Sequence, residues 1–175
     1  MTTRSRPLRR RLVLTTLTAV AVLLVAGLAL FQPWKLLVDR MVSEPAPTTV
    51  APAEPPPRVL ARGELITHEH ATTGSVLVLG LADGSRVLRL QDLDTSDGPL
   101  LKVLITDAPV LPGVDGWGVF DDGRQVDLGE LKGNIGSSNY VLPADVDLAQ
   151  LRSVSIWCDR FNVSFGAAAL APVAA

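Results

Sequence analysis

The chain has 175 residues, 16 Lys/Arg against 18 Asp/Glu, a formal charge of −2 at pH 7 and one cysteine, enough for one domain plus appendages. From Val59 onward the balance is 8 Lys/Arg to 15 Asp/Glu, a formal −7, which argues against nucleic acid as a partner because its phosphates demand the opposite sign. A lone cysteine excludes an intrachain disulfide, a CxxC dithiol and a CxxCH haem attachment.

Residues 1–11 form a basic tail with Arg4, Arg6, Arg9, Arg10 and Arg11. Residues 12–31, LVLTTLTAVAVLLVAGLALF, follow without a charge, and about 20 apolar residues suffice for a helix to cross a bilayer. Five arginines before the run and a single lysine, Lys35, soon after it predict a single-pass segment in the cell membrane. Its N-terminus is cytoplasmic and everything downstream extracytoplasmic. A cleaved signal peptide is the rival reading, with Gly27 and Ala29 as small residues at the cleavage site. The apolar run exceeds the roughly 7–15 residues usual for such a signal, which favours a retained signal-anchor.

Residues 32–58 read as a juxtamembrane and proline-rich linker. Ser43 to Arg58 holds six prolines and little to bury, which predicts an extended spacer that holds the following domain off the membrane. From residue 59 to 172 the texture is β. Strands are predicted at Leu60–Thr67, Ser75–Ala82, Arg86–Leu93, Leu101–Thr106, Gln125–Leu131 and Asn139–Leu142. A turn falls at Asp83-Gly84-Ser85, a long excursion over Asp107–Gly123 with a short strand at Gly118–Phe120, and one helical turn at Asp145–Leu151. The fold class is all-β: an antiparallel β-sandwich or barrel-like domain behind one transmembrane helix.

The last stretch, Ser153 to Gly166, contains Cys158. Val154, Ile156 and Cys158 share one parity, whereas Phe161, Val163 and Phe165 share the other, so a bulge or tight turn at Asp159-Arg160 has to reset the alternation. Cys158 then closes an inward row near the rim. Three readings of it stay open: a small buried hydrophobe, a reactive thiol or intermolecular disulfide, and a thiolate ligand to a metal or haem. His68-Glu69-His70 is the only histidine cluster. His68 and His70 would share a face of a continuing strand, but no third metal ligand is indicated, and a solvated turn is the plainer reading. Asp92, Asp94, Asp97, Asp121 and Asp122 lack the frame of a Ca²⁺ loop.

Several pieces together resemble the DM13 family of electron-transfer modules. They are Gly63, His70-x-x-x-Gly74, Gly98-Pro99, Asp127-Leu128-Gly129-x-Leu131-Lys132-Gly133-Asn134 and Asn139-Tyr140-x-x-Pro143. The specific one is Ser155-Ile156-Trp157-Cys158-x-x-Phe161-x-Val163-x-Phe165-Gly166. The likeness spans about residues 60–170. Leu93 and Leu100 depart from the family pattern, which commonly has Phe and Asp there. The resemblance implies a membrane-tethered redox module with a redox partner protein. Cys158 would serve as a free thiol or as a ligand to a group such as haem, and His70 is the first candidate for a trans ligand. A module with no cofactor, and a non-enzymatic envelope-binding β-sandwich, are the alternatives.

Overall fold

The computed structural model describes residues 6–48 and 55–173 and divides into two units, Met1–Trp34 and Lys35–Ala175. The first unit is α1 (Arg6–Phe31). Its Leu8–Phe31 part, 24 residues containing an 18-residue stretch of mean hydropathy 2.5, is long and apolar enough to cross a membrane, rising about 36 Å. The threonines would cost little in hydrocarbon because each hydroxyl returns to the helix: Thr15 and Thr16 to the Leu12 carbonyl, and Thr18 to that of Leu14. Gln32, at φ 45°, and the following proline end the helix.

The second unit is a two-sheet β-sandwich. Its strands in chain order are β1 (Met41–Ser43), β2 (Arg58–Glu64), β3 (Ile66–Thr67), β4 (Thr73–Gly80), β5 (Arg86–Asp94) and β6 (Leu101–Thr106). They continue with β7 (Gln125–Glu130), β8 (Ile135–Leu142), β9 (Ser153–Cys158), β10 (Val163–Ala169) and β11 (Ala171–Pro172). One sheet runs β1-β8-β5-β4-β2-β11 and the other β3-β10-β9-β6-β7. Every pairing is antiparallel except β1 with β8. The inward parities of β4, β5, β6 and β9 meet between the sheets: Val76, Val78, Leu88, Leu90, Val103, Ile105, Val154 and Ile156 all have zero exposure. The β4–β5 turn is made by Asp83, whose carboxylate takes the Ser85 amide and hydroxyl, with Gly84 at φ 84°.

Four features depart from the sequence reading. The run Leu60–Thr67 is not one strand: it breaks at Leu65, and β2 and β3 belong to different sheets. Gly118–Phe120 is irregular; Phe120 instead plugs the outer face of the second sheet with zero exposure, its ring 6.4 Å from that of Trp157 at 69°. Phe161 is not in the inward row but in the Asp159–Asn162 turn, 48% exposed. The parity change is shared between that turn and a bulge between Ser164 and Gly166, which leaves Phe165 unpaired.

The fourth departure concerns the linker. Met41–Ser43, inside the stretch read as linker, pairs with Ile135–Ser137. Gly136, at φ 109°, permits this, since a β-carbon there would run into the Val42 carbonyl. Glu44 is also docked, accepting from Lys132 Nζ at 2.8 Å and the Asn139 amide at 2.6 Å. The prolines therefore follow the first strand of the sandwich and lead to β2, near the opposite end of the same sheet. They do not stand between the apolar helix and the domain's first contact. Residues 49–54 of that run lie outside the described residues.

Candidate functional site

Cys158 is the last residue of β9, a central strand flanked by β10 and β6, and its parity puts it in the inter-sheet core with zero exposure. Its Sγ donates to the Pro99 carbonyl at 3.2 Å. Burial pushes the thiol above its ordinary pKa, and the Glu69 and Asp159 carboxylates add to this; the nearby Phe161 and Arg160 backbone amides oppose it. The sulfur is thus held as a thiol.

Two loop segments close over it. On one side is the Gly98-Pro99-Leu100 corner, in which Leu100 takes φ 53° and is 41% exposed. On the other is the Asp159–Asn162 turn. Asp159 N donates to Leu100 O at 3.1 Å from the one to the other. Gly98 packs so closely on Phe165 that a β-carbon would lie 2.8 Å from its Cζ.

His70 sits against that same Phe165, ring centroids 3.9 Å apart, with Nε2 3.5 Å from Glu69 Oε2. His68 goes elsewhere. It is 5% exposed beneath the excursion, its Nδ1 2.8 Å from Ser164 Oγ and its Nε2 3.0 Å from the Leu111 carbonyl, and its ring stacks on Phe120. Burial lowers its pKa, with the Leu111 bond opposing in part. Of the two readings, the continuing strand is absent and the turn is present as a bend at residues 68–70, but it is not solvated throughout: His68 is a core residue and His70 a half-buried one. Ser155 Oγ donates to Ser164 Oγ at 2.9 Å, which makes a closed hydroxyl–imidazole chain under the excursion.

Among the described residues no group of three or more His, Cys, Asp or Glu could hold a metal ion. Of the aspartates, Asp97 is 3% exposed and faces Arg40, whose Nε and Nη2 lie 3.0 and 2.9 Å from its two oxygens. Haem ligation through thiolate needs an open side on the sulfur for the iron and a slot for the macrocycle. Enclosed Sγ, bonded to Pro99 O and with Phe165 filling the space beneath His70, does not fit that group.

Sequence reasoning passed over the residues that hold the cover. Asp97 Oδ1 accepts from the Gly98 amide at 2.8 Å, Arg40 clamps Asp97, and Lys35 Nζ reaches the Gly98 carbonyl at 3.3 Å. A carboxylate directly before Gly-Pro was the only visible signal; nothing in residues 35–40 announces a tertiary role. A family model described as electron transfer DM13 matches residues 64–170, more than half of the chain. No curated protein and no solved structure matches it.

Proposed function

Since this chain belongs to the DM13 family of electron-transfer domains, we propose that it is a membrane-tethered, extracytoplasmic redox module whose working group is the bare thiol of Cys158. The observation carrying this is the position of the sulfur: fully buried, yet beneath a cover whose outer residues, Leu100, Asp159 and Phe161, are exposed. Opening one corner reaches it without dismantling a sheet. The arginine-rich start, the apolar helix and the acidic domain support tethering on the outer side, with the bilayer and a redox partner protein as the two surfaces met. Once uncovered and deprotonated, the sulfur attacks a partner disulfide. One S–S bond forms to Cys158, the partner's own S–S bond breaks, and the departing thiolate takes the proton.

The test uses the full chain in detergent, incubated with glutathione disulfide and read by intact mass. The expected product is a glutathione adduct that dithiothreitol removes and that Cys158→Ser never forms. An adduct that forms only at denaturant concentrations where the whole domain unfolds refutes the reading. In that case the full burial of Cys158 and its raised pKa favour the second reading, a non-enzymatic binding module of the envelope with a packing cysteine.

A further inference from the structure

The residues that immobilise the cover of Cys158 do not come from the cover. They come from the strap that joins the apolar helix to the sandwich, 35–45. Arg40 contributes a forked pair of bonds to Asp97, 3.0 and 2.9 Å, and a further bond from Nη2 to the Leu131 carbonyl at 3.3 Å. Asp97 in turn fixes the Gly98 amide, Lys35 fixes the Gly98 carbonyl, and the next residue is Pro99, whose carbonyl accepts the thiol. Every link in this series is a hydrogen bond except the Gly98–Pro99 peptide bond, and the chain from Arg40 to Sγ passes through only three consecutive residues, Asp97, Gly98 and Pro99.

The strap is itself held by contacts that involve neither the thiol nor its cover. Arg40 N donates to Asn134 Oδ1 at 2.6 Å, Asn134 Nδ2 to Asp39 Oδ1 at 2.9 Å, and the β1 ladder and Glu44 follow. Asp97 is buried while the Arg40 side chain is 42% exposed. The pair can therefore be released from the solvent side by moving the arginine, leaving a buried carboxylate that cannot stay in place unpaired.

We propose that Arg40 and Lys35 are positioning residues for the thiol: the strap, while docked, keeps the Gly98-Pro99-Leu100 corner closed, and its release opens Cys158 to reagents. This rests on the thiol being the working group, and it assigns regulation of that site to the segment immediately following the membrane helix. A pull or a competing anion acting on residues 35–40 then sets the accessibility of the sulfur from outside the sandwich.

The experiment measures maleimide addition to Cys158, the only thiol, in full chain held in detergent, by intact mass against time. Compared are the natural chain, Arg40→Ala, Lys35→Ala and Arg86→Ala. The Arg86 side chain bonds only the Pro143 carbonyl among the described residues, away from the strap, and serves as a stability control. Loss of a forked, charge-assisted pair is expected to speed labelling about tenfold in Arg40→Ala, with a smaller gain in Lys35→Ala. The Asp159 amide, which bonds Leu100, should exchange hydrogen faster in both variants, while amides in the middle of β9 do not change. Should Arg40→Ala fail to fold, Lys35→Ala and Arg40→Lys carry the same comparison.

Labelling that is unchanged, or that rises in Arg86→Ala as much as in the strap variants at equal loss of thermal midpoint, overturns the strap. Faster maleimide labelling without exchange with glutathione disulfide in any variant keeps the strap and removes the redox reading. Exchange in the natural chain that Arg40→Ala does not accelerate does the reverse.

Discussion

Replacing Ser164 by alanine probes the hydroxyl–imidazole chain beneath the excursion. The Leu111 carbonyl can only accept, so His68 Nε2 carries the proton and Nδ1 accepts from Ser164. Ser164 Oγ also accepts from Ser155. Deleting one oxygen thus strands two groups: a Ser155 hydroxyl with no exposure and a ring nitrogen on a residue 5% exposed. An orphaned buried group costs about 1–3 kcal/mol, so Ser164→Ala should cost about 2–4 kcal/mol after some relaxation. Ser155→Ala removes only the terminal donor and should cost about 0.5–1.5 kcal/mol. In the double variant the orphaned Ser155 hydroxyl is gone, so it should be no less stable than Ser164→Ala alone. Urea unfolding of the full chain in detergent, followed by tryptophan fluorescence, yields all four free energies; the single loss corresponds to roughly 4 °C in thermal midpoint per kcal/mol. A Ser164→Ala cost within about 0.5 kcal/mol of zero, or strict additivity of the two substitutions, would refute the reasoning.

The folded pKa of His68 lies below its ordinary value, so the unfolded chain takes up the proton first as pH falls. Its stabilising contribution is complete above about pH 6.5 and is lost as pH drops from there toward the folded pKa, which urea midpoints at several pH values should register and His68→Asn should flatten. The raised pKa of Cys158 predicts that its labelling rate keeps climbing at pH values where an exposed thiol, with pKa about 8.5, has levelled off. Asn134 has zero exposure and bonds Arg40 N, Asp39 and the Thr95 carbonyl. Asn134→Ala should cost about 2–4 kcal/mol and accelerate hydrogen exchange in β1 but not in β9.

What local chemistry dictates, the sequence made legible. Leu101–Thr106 is a strand with the bounds expected, because its apolar run ends at Asp107 and begins after Gly-Pro. The turn at Asp83-Gly84-Ser85 follows from one carboxylate and one flexible glycine. The inward parity of Cys158 was readable from Val154 and Ile156, and the last helical turn from Asp145 to Leu151 shows as the bond from Leu151 N to Asp147 O, 2.8 Å. What distant partners decide was not legible. Three residues, Met41–Ser43, have no period of their own; they become a strand only because Gly136 leaves room beside β8. Ser153, Ser155 and Trp157 look like a solvated face until Phe120 and the residues around it cover them. Their burial is tolerated because Ser153 reaches the Ala108 carbonyl and Ser155 reaches Ser164. His68 carries no local mark of burial, and Arg40 none of its hold on Asp97.

The placement of β1 and β2 in one sheet with three strands between them gives the prolines a different job. Four inter-strand steps of about 4.8 Å make a traverse of roughly 19 Å, a distance that the number of residues between β1 and β2 can span at roughly 3.1 Å per residue. A protease that severed this traverse would not by itself shed the sandwich. The fragment bearing the helix would still own one edge of the sheet, gripping the remainder through a short ladder, an arginine fork and a glutamate. Release into the surroundings would then be a dissociation with its own rate and salt dependence, and peptide-bond cleavage would only license it.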